Sequence, residues 1–355
     1  MAIRRILESA ESIPDYQRII QAYGKDYPLL GARAQLQIGL ILKGRGDLES
    51  ALEELSRVKA QYPDQRAVAA QADMEIADIY LKAGEDPKAI NIYRRMIKDY
   101  HSERARELLI STLLRTANRL KNSHDYALAL PRYKAAREID HRRVEAHRGI
   151  VECYYRTGRI DEAIREYKAL VRKNPEDEVA LYTLGLAYSY KGSQEEGLLK
   201  RSNSLIQEAL SKNYRLIYAY LTLSYNYEAL EELEAKKKRG ILLRAREALS
   251  QPLTWLFHTL TFRTRELPKH WYEKAIDALT TAVALNDEKA DPQLESLLCL
   301  NLANNYYKMG EFGFERAYKY YHKKLEYDSS FASRLQQAIF YQRLGHCGLV
   351  VEDFK

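Results

Sequence analysis

The sequence predicts an all-α protein built as a solenoid of antiparallel helix pairs. The first observation is composition: Ala, Leu, Glu, Lys and Arg dominate, and only 9 Pro and 16 Gly occur among 355 residues, a mixture that favours helix. The second is the near absence of strand-type alternation of β-branched residues. The third is an internal repeat of about 34 residues, which indicates an array of similar units.

The repeat is clearest in AHRGIVECYYRTGRIDEAIREYKALVRKNPED, residues 146–177. Small residues stand where two helices would cross, because the backbones approach closely there, and bulky neighbours fill the remaining gaps. Gly158 can take the left-handed conformation that ends the first helix, and Pro175 stops the second. The stretch therefore predicts one helical hairpin, with a first and a second helix.

The same spacing of small and bulky residues, which we call the frame, recurs along the chain. It fits in full at residues 34–64 and 72–101, in its first half at 181–192, and after a two-residue insertion at 300–321. This pattern resembles the tetratricopeptide repeat, and the resemblance is specific over residues 32 to 192. It implies a right-handed superhelical array of about eight full repeats with partial repeats at both ends.

Differences in fit divide the chain into four segments: a partial N-terminal repeat at 1–31, a regular array at 32–215, divergent repeats at 216–294 that include the apolar segment 253–262, and a C-terminal repeat plus a partial repeat at 295–355. Repeats can be drawn within the divergent part at about 217–252, where LLRAREALSQP would form a second helix, and at about 253–287. Neither end offers the polar capping helix that usually closes a solenoid. We therefore expect a fragment of a longer protein, with self-association through the unpaired end helices.

Several function classes are disfavoured by what the sequence lacks. No stretch approaches 18 consecutive apolar residues, so no membrane span is expected. The histidines fall in no metal-binding pattern, and no Walker, GxGxxG or GxSxG motif occurs. We therefore expect a protein that is not an enzyme and that binds neither a metal nor a cofactor. The three cysteines, Cys153, Cys299 and Cys347, are far apart and odd in number, which predicts free thiols. Free thiols favour the cytoplasm; a trimmed targeting segment would allow the periplasm.

The charge balance permits a nucleic-acid partner without demanding one. The net charge is +7, because 56 basic residues face 49 acidic ones. The basic run in EAKKKRG, residues 234–240, can contact phosphates. It follows an acidic stretch, so a solvated, charge-segregated helix end is the favoured interpretation.

The resemblance implies that first-helix residues line a concave wall on which ligand peptides lie. Tyrosines at wall positions where packing does not require them offer apolar area with a hydrogen-bonding tip. Asparagine can bond the backbone of an extended peptide through both donor and acceptor. On this basis the predicted partner-binding residues are Arg115, Asn118, Arg148, Tyr155, Tyr182, Tyr190, Tyr218, Tyr225, Asn301 and Asn304.

Family members that grip the acidic C-terminus of chaperones use a clamp of Lys and Asn at set first-helix positions. The equivalent positions here include Leu36 and Leu40, or Arg148 followed by Glu152. This departure from the clamp predicts that chaperone tails are not the ligand.

The apolar segment 253–262 has two interpretations. It contains Trp255, Phe257 and Phe262 where the repeat pattern is weakest. Either it packs inside the solenoid as a divergent helix, or it is an exposed docking patch.

The main hypothesis is a non-catalytic scaffold that binds a protein or peptide segment in the concave groove. One alternative is an RNA- or polysaccharide-binding repeat, since Tyr, Asn and Arg faces can stack on bases or sugars. The other is a regulatory or assembly arm of a larger enzyme or envelope complex. The helix ends YGKDYP and KAQYPD resemble those of bacterial envelope-assembly repeat proteins, which suggests a bacterial source.

Overall fold

The computed structural model describes residues 10, 12–248, 270–286, 291–330 and 334–353. Within these residues all the regular elements are α-helices, sixteen in number. They are α1 (Ile13–Tyr23), α2 (Pro28–Arg45), α3 (Leu48–Gln61), α4 (Arg66–Lys82), α5 (Asp86–Tyr100), α6 (Glu103–Asn122), α7 (Tyr126–Ile139), α8 (Val144–Arg156), α9 (Ile160–Lys173), α10 (Glu178–Lys191), α11 (Glu196–Lys212), α12 (Ile217–Ala248), α13 (His270–Leu285), α14 (Pro292–Lys308), α15 (Glu311–Tyr327) and α16 (Arg334–Asp353). The predicted all-α fold is confirmed.

The chain forms two compact units, Met1–Cys153 and Tyr154–Lys355. In the first unit α1 packs on α2, and each helix from α2 to α6 packs on its successor. In the second unit the same succession runs from α9 to α16. Contacts between neighbours along the chain are the mark of a solenoid, in which each repeat buries its apolar face against the next. We call α2, α4, α6, α8, α10, α12, α14 and α16 the first helices.

The small residues of the frame stand where they were predicted to be needed. A Cβ at Gly39 would lie 2.6 Å from the side chain of Leu55, and one at Gly185 would lie 2.6 Å from Ile206. The predicted left-handed turn at Gly158 is confirmed, with φ of 72°. These positions let two helices of a pair approach closely and reverse direction.

Large aromatic residues fill the spaces beside these crossings. Tyr93, Tyr133 and Tyr167 are fully buried, as the frame predicted for its bulky positions. Tyr321 fills the same kind of site in the α14–α15 pair. Each ring closes the gap that the small residues leave, which gives the array its core.

The predicted helix boundary inside 217–252 is wrong, because α12 runs without a break from Ile217 to Ala248. Its second half consists almost entirely of Glu, Ala, Leu, Lys and Arg, and it contains one glycine, Gly240. A glycine inside a helix costs about 1 kcal/mol relative to alanine, which strong helix formers on both sides outweigh.

The packing partner of α12 is α13. The backbone N–H of Trp271 donates to Glu231 at 3.1 Å, and its indole N–H donates to Glu234 at 3.0 Å. Further along α13, Leu279 packs with Leu221 of α12. The start of α13 therefore lies beside the middle of α12, and its later part lies beside the start of α12, so the two helices are antiparallel. Trp255, Phe257 and Phe262 lie outside the described residues.

None of the described helices combines the length and the apolar character that crossing a membrane requires.

Candidate partner-binding groove

In the first unit, ion pairs join successive first helices. Lys43 of α2 lies 2.5 Å from both Glu75 and Asp78 of α4. Lys121 of α6 makes the same kind of contact with Glu152, at 2.9 Å. These wall charges are therefore paired across the helices rather than left open to an ionic ligand.

The pKa shifts in this wall follow from the pairing. Burial alone would lower the pKa of Lys43, but hydrogen bonds with Asp78 and Glu75 outweigh it and the pKa is raised. Burial alone would raise the pKa of Asp78, but hydrogen bonds with Lys43 and Lys82 outweigh it and the pKa is lowered. Both shifts favour the charged forms, so the pair is intact at neutral pH.

Arg115 and Asn118 are predicted partner-binding residues, and both contact other residues of this chain. The Arg115 guanidinium lies 3.4 Å from the buried carboxylate of Asp86, which also accepts from Arg119 at 2.7 Å. The Asn118 side-chain oxygen accepts from the hydroxyl of Tyr133 at 2.5 Å. Even so, 57% of the Arg115 side chain is accessible to solvent, and Asn118 is exposed. The two residues line an open depression of about 720 Å³.

Arg148, the remaining predicted residue of this unit, is half-buried on α8. It is not among the residues that line the depression.

The expectation that packing does not require Tyr182 is wrong. Tyr182 of α10 is 0% exposed, and its hydroxyl lies 3.4 Å from the Thr222 hydroxyl of α12. Successive first helices α10 and α12 pack directly against each other, so this wall position is covered by the next repeat. Tyr182 is a core residue and presents no surface to a partner.

Other predicted tyrosines of the second unit do reach the surface. Tyr155 is 40% exposed, and its ring centre lies 4.7 Å from that of the half-buried Tyr190. Tyr225 of α12 is 44% exposed. Tyr218 is half-buried and packs on the cluster shared by α12, α13 and α14. Tyr155, Tyr190 and Tyr225 thus present aromatic surface on three successive first helices, α8, α10 and α12.

The predicted asparagines of α14 anchor neighbouring helices. The amide of Asn301 is buried and donates to the Tyr225 hydroxyl at 3.3 Å. Asn304 is half-buried, and its oxygen accepts from Tyr321 at 2.9 Å and from Arg343 at 2.7 Å. These contacts hold the side-chain amides of Asn301 and Asn304 in fixed orientations.

A second link between α12 and α14 is ionic. The ammonium of Lys308 lies 2.8 Å from a carboxylate oxygen of Glu228, and that carboxylate also accepts from the Asn305 amide at 2.8 Å. Burial would lower the pKa of Lys308, but the attraction of Glu228 outweighs it and the pKa is raised. The pair therefore resembles the Lys43 contacts of the first unit.

Sequence reasoning missed a cavity of about 560 Å³ between α14 and α16. Leu297, Leu300 and Asn304 line it from α14, and Phe340 and Arg343 line it from α16. The three α14 residues are spaced so that they lie along one helical face, and this spacing can be read from the sequence. The α16 side was not predictable in the same way, because the frame treats that helix as a partial repeat.

The described residues contain no group of three or more His, Cys, Asp or Glu side chains placed to hold a metal ion. The three cysteines are buried free thiols. Burial raises the pKa of Cys153 and Cys347 to about 11 and that of Cys299 to about 12. Thiols with such values carry almost no thiolate at neutral pH, so they are poor nucleophiles.

Comparison with known proteins gives two family matches. Residues 36–103 and residues 122–185 each match a family model described as tetratricopeptide repeat. A tetratricopeptide repeat protein 21 homolog of Caenorhabditis briggsae is 26% identical over 120 residues, which is 34% of this chain and 9% of that protein. The matched part thus spans about a tenth of the curated relative's length.

Comparison with solved structures gives several matches of low identity. TTC0263 of Thermus thermophilus, described as a thermophilic TPR protein, is 20% identical with a TM-score of 0.43, covering 66% of this chain and 98% of its own. YrrB, described as a TPR protein with an unusual peptide-binding site, is 18% identical with a TM-score of 0.29, covering 59% and 97%. The TPR2AB domain of yeast Sti1, in complex with pHSP90, is 14% identical with a TM-score of 0.30, covering 82% and 90%.

Two stretches of the first 185 residues match the repeat model directly, and helix pairs continue through the described part of the chain to α15. Residues 36–103 and 122–185 are therefore tetratricopeptide repeats.

Proposed function

We propose that this chain is a non-catalytic scaffold that holds a segment of a partner protein on the first-helix wall of its second unit. Tetratricopeptide repeat proteins are generally non-catalytic scaffolds for protein interactions. The observation that carries the proposal is the aromatic surface of Tyr155, Tyr190 and Tyr225 on successive first helices. Tyrosine at such positions gives large contact area with a polar tip and little loss of side-chain entropy.

The wall suits a protein segment better than a polyanion. The ammonium of Lys308 is paired with Glu228, and Lys191 is paired with Asp161 of α9 at 2.6 Å. In the basic run at 234–240, Lys237 contacts Glu196 and Lys238 lies 2.6 Å from Glu234. Nucleic-acid binding depends on cations that are available to phosphates, and several of the cations here are already neutralised by carboxylates.

The test is affinity capture from a lysate of the source organism, followed by mass spectrometry. The variant carries Tyr155→Ala, Tyr190→Ala and Tyr225→Ala together. A matched control replaces Tyr23, Tyr27 and Tyr214, which are 40%, 49% and 59% exposed and lie on α1 or in connecting segments. We expect a protein partner that is retained by wild type and by the control but lost from the wall variant.

Two results would count against the proposal. If the wall variant captures the same proteins as wild type, the three tyrosines are not part of the binding surface. Capture that nuclease treatment abolishes, and that weakens steeply with salt, would favour the RNA-binding alternative. A partner that is itself an enzyme or envelope component would show the chain to be an assembly arm, which is a specific form of the same proposal.

A further inference from the structure

The cavity between α14 and α16 combines an apolar lining with cationic groups. Leu297 and Leu300 line it from α14, and Ile339 and Phe340 line it from α16. Two of these residues, Leu297 and Ile339, are more than a third exposed, so the lining is accessible. A volume of about 560 Å³ falls within the range of small ligand sites.

Three charged groups belong to the lining: Lys324, Asp328 and Arg343. The Asp328 carboxylate accepts hydrogen bonds from the backbone N–H and the hydroxyl of Ser330, at 2.8 Å and 2.7 Å. The buried ammonium of Lys324 donates to the backbone carbonyls of Asp328 and Ser330, at 2.6 Å and 2.7 Å. Among the described lining residues, two are cationic and one is a carboxylate.

Arg343 differs from several other arginines of the described residues in its partners. Arg95, Arg119 and Arg159 each contact a carboxylate. Arg343 instead donates to the amide oxygen of Asn304 at 2.7 Å, and its guanidinium lies 5.3 Å from the ring centre of Tyr307. In the part of the chain that the structure describes, no carboxylate forms an ion pair with it.

Neutral partners orient the Arg343 guanidinium without neutralising it. A guanidinium has five N–H donors in a rigid fork that fits a carboxylate in two-point contact. Asn304 uses one of those donors. The orientation therefore reduces the entropy lost on binding an anion, while the charge stays available.

We propose that this cavity recognises an acidic residue next to a large apolar residue in a partner segment. The carboxylate binds the Arg343 guanidinium, and the apolar side chain enters the space between Leu300 and Phe340. This rests on the proposed function, and it defines the chemical class of the bound segment. Charge complementarity selects the acid, and the apolar lining selects its neighbour.

The experiment is selection of random peptides displayed on phage against the full chain, the Arg343→Gln variant and a matched Arg316→Gln control. Arg316 also lies over a tyrosine ring, that of Tyr306, at 5.6 Å, but it is not part of the cavity lining. We expect wild type and the control to enrich peptides with Asp or Glu beside Leu, Ile or Phe. Arg343→Gln should lose this enrichment.

The affinity of one selected peptide, measured by fluorescence anisotropy, makes the result quantitative. Arg343→Gln should weaken binding by about tenfold or more, as expected when a charge-assisted contact to a carboxylate is lost. Replacing the acid of the peptide by its amide should weaken binding to wild type by a similar factor and should leave binding to Arg343→Gln almost unchanged. Leu297→Trp, which fills the cavity mouth and leaves Arg343 in place, should also weaken it.

Enrichment without an acidic preference, equal enrichment by Arg343→Gln, or no enrichment at all would overturn the inference. Thermal unfolding of each variant shows whether it is folded. If Arg343→Gln is unfolded, Leu297→Trp provides the test. The two proposals fail separately. If the cellular partner is lost from the tyrosine wall variant but retained by Arg343→Gln and Leu297→Trp, the scaffold function stands and the cavity has no part in it.

Discussion

The side-chain amide of Asn301 donates a hydrogen bond to the hydroxyl of Tyr225 over 3.3 Å, although 76 positions separate the two residues in the sequence. The amide is buried, and it also donates to the carbonyl of Leu297 one turn earlier. The tyrosine is 44% exposed. One contact therefore joins a buried anchor on α14 to an accessible aromatic surface on α12.

This asymmetry predicts unequal effects of the two obvious substitutions. Asn301→Ala removes a buried amide with two hydrogen bonds and should lower the free energy of unfolding by about 1–2 kcal/mol. Tyr225→Phe should cost less than about 0.5 kcal/mol, because the Asn301 amide keeps its hydrogen bond to the Leu297 carbonyl and the hydroxyl that is removed belongs to a partly exposed residue. Urea unfolding followed by circular dichroism measures both. Equal losses would mean that the phenol is the structural anchor.

Tyr182 is expected to behave as a core residue. Tyr182→Ala should reduce stability by about 3–5 kcal/mol, as for other large aromatic side chains removed from a core. Tyr190→Ala, at a half-buried position of the same helix, should cost far less. Thermal and urea unfolding of the two variants provide the comparison. A Tyr182→Ala variant as stable as wild type would place its ring outside the core.

The ion pair of Lys308 should make wild type more stable than Lys308→Met at neutral pH, and this difference should disappear in alkali. Its pKa is raised in the folded protein by Glu228, so its ion pair stabilises the fold fully below the ordinary lysine value of about 10.4. As pH rises through the raised pKa, that contribution is lost. The gap in unfolding free energy between wild type and Lys308→Met should therefore be constant from about pH 7 to 9 and narrow above about pH 10.5.

Unfolding in urea across this pH range measures the gap. The ring of Tyr272 lies 5.3 Å from the Lys308 ammonium, so both proteins carry Tyr272→Phe in this comparison; the ionisation of tyrosines remote from Lys308 then affects both alike. A gap that stays constant into strong alkali would show that Lys308 contributes by packing rather than by charge.

Helix α16 predicts self-association through its exposed apolar residues. Tyr341 and Leu349 lie on the same side of the helix and are 48% and 65% exposed, and exposed apolar surface gains stability when covered. Sedimentation velocity should show association that rises with concentration and that Leu349→Glu weakens. Phe312→Glu introduces the same charge at a residue of α15 that is 92% exposed, and it should leave association unchanged. A strictly monomeric chain at high concentration would contradict this prediction.

The predictable part of this structure is the part that depends on contacts within one repeat. Gly158 at a left-handed turn and Tyr167 in the core follow from the spacing of small and bulky residues. Tyr182 was misassigned because its burial depends on α12 of the next repeat, which the frame of a single repeat does not describe. The length of α12 was missed because weak stop signals compete with strong helix propensity.

The α14–α16 cavity was beyond sequence reasoning for a related reason. One of its charged groups, Arg343, is identified as a candidate anion site only by its neutral contacts with Asn304 and Tyr307 on another helix. Residues whose partners lie in another repeat are poorly marked by local spacing, and recognition surfaces of solenoids are made largely of such residues.

Two regions of the second unit are accessible to a ligand: the tyrosines Tyr155, Tyr190 and Tyr225, and the α14–α16 cavity. A ligand that uses both regions is consequently bivalent: two short contact elements joined by a spanning stretch. The strength of such binding depends on the effective concentration of the second element once the first is bound, and that concentration is set by the length of the spanning stretch. Two weak elements on one chain would then bind tightly, whereas the same elements on separate chains would not.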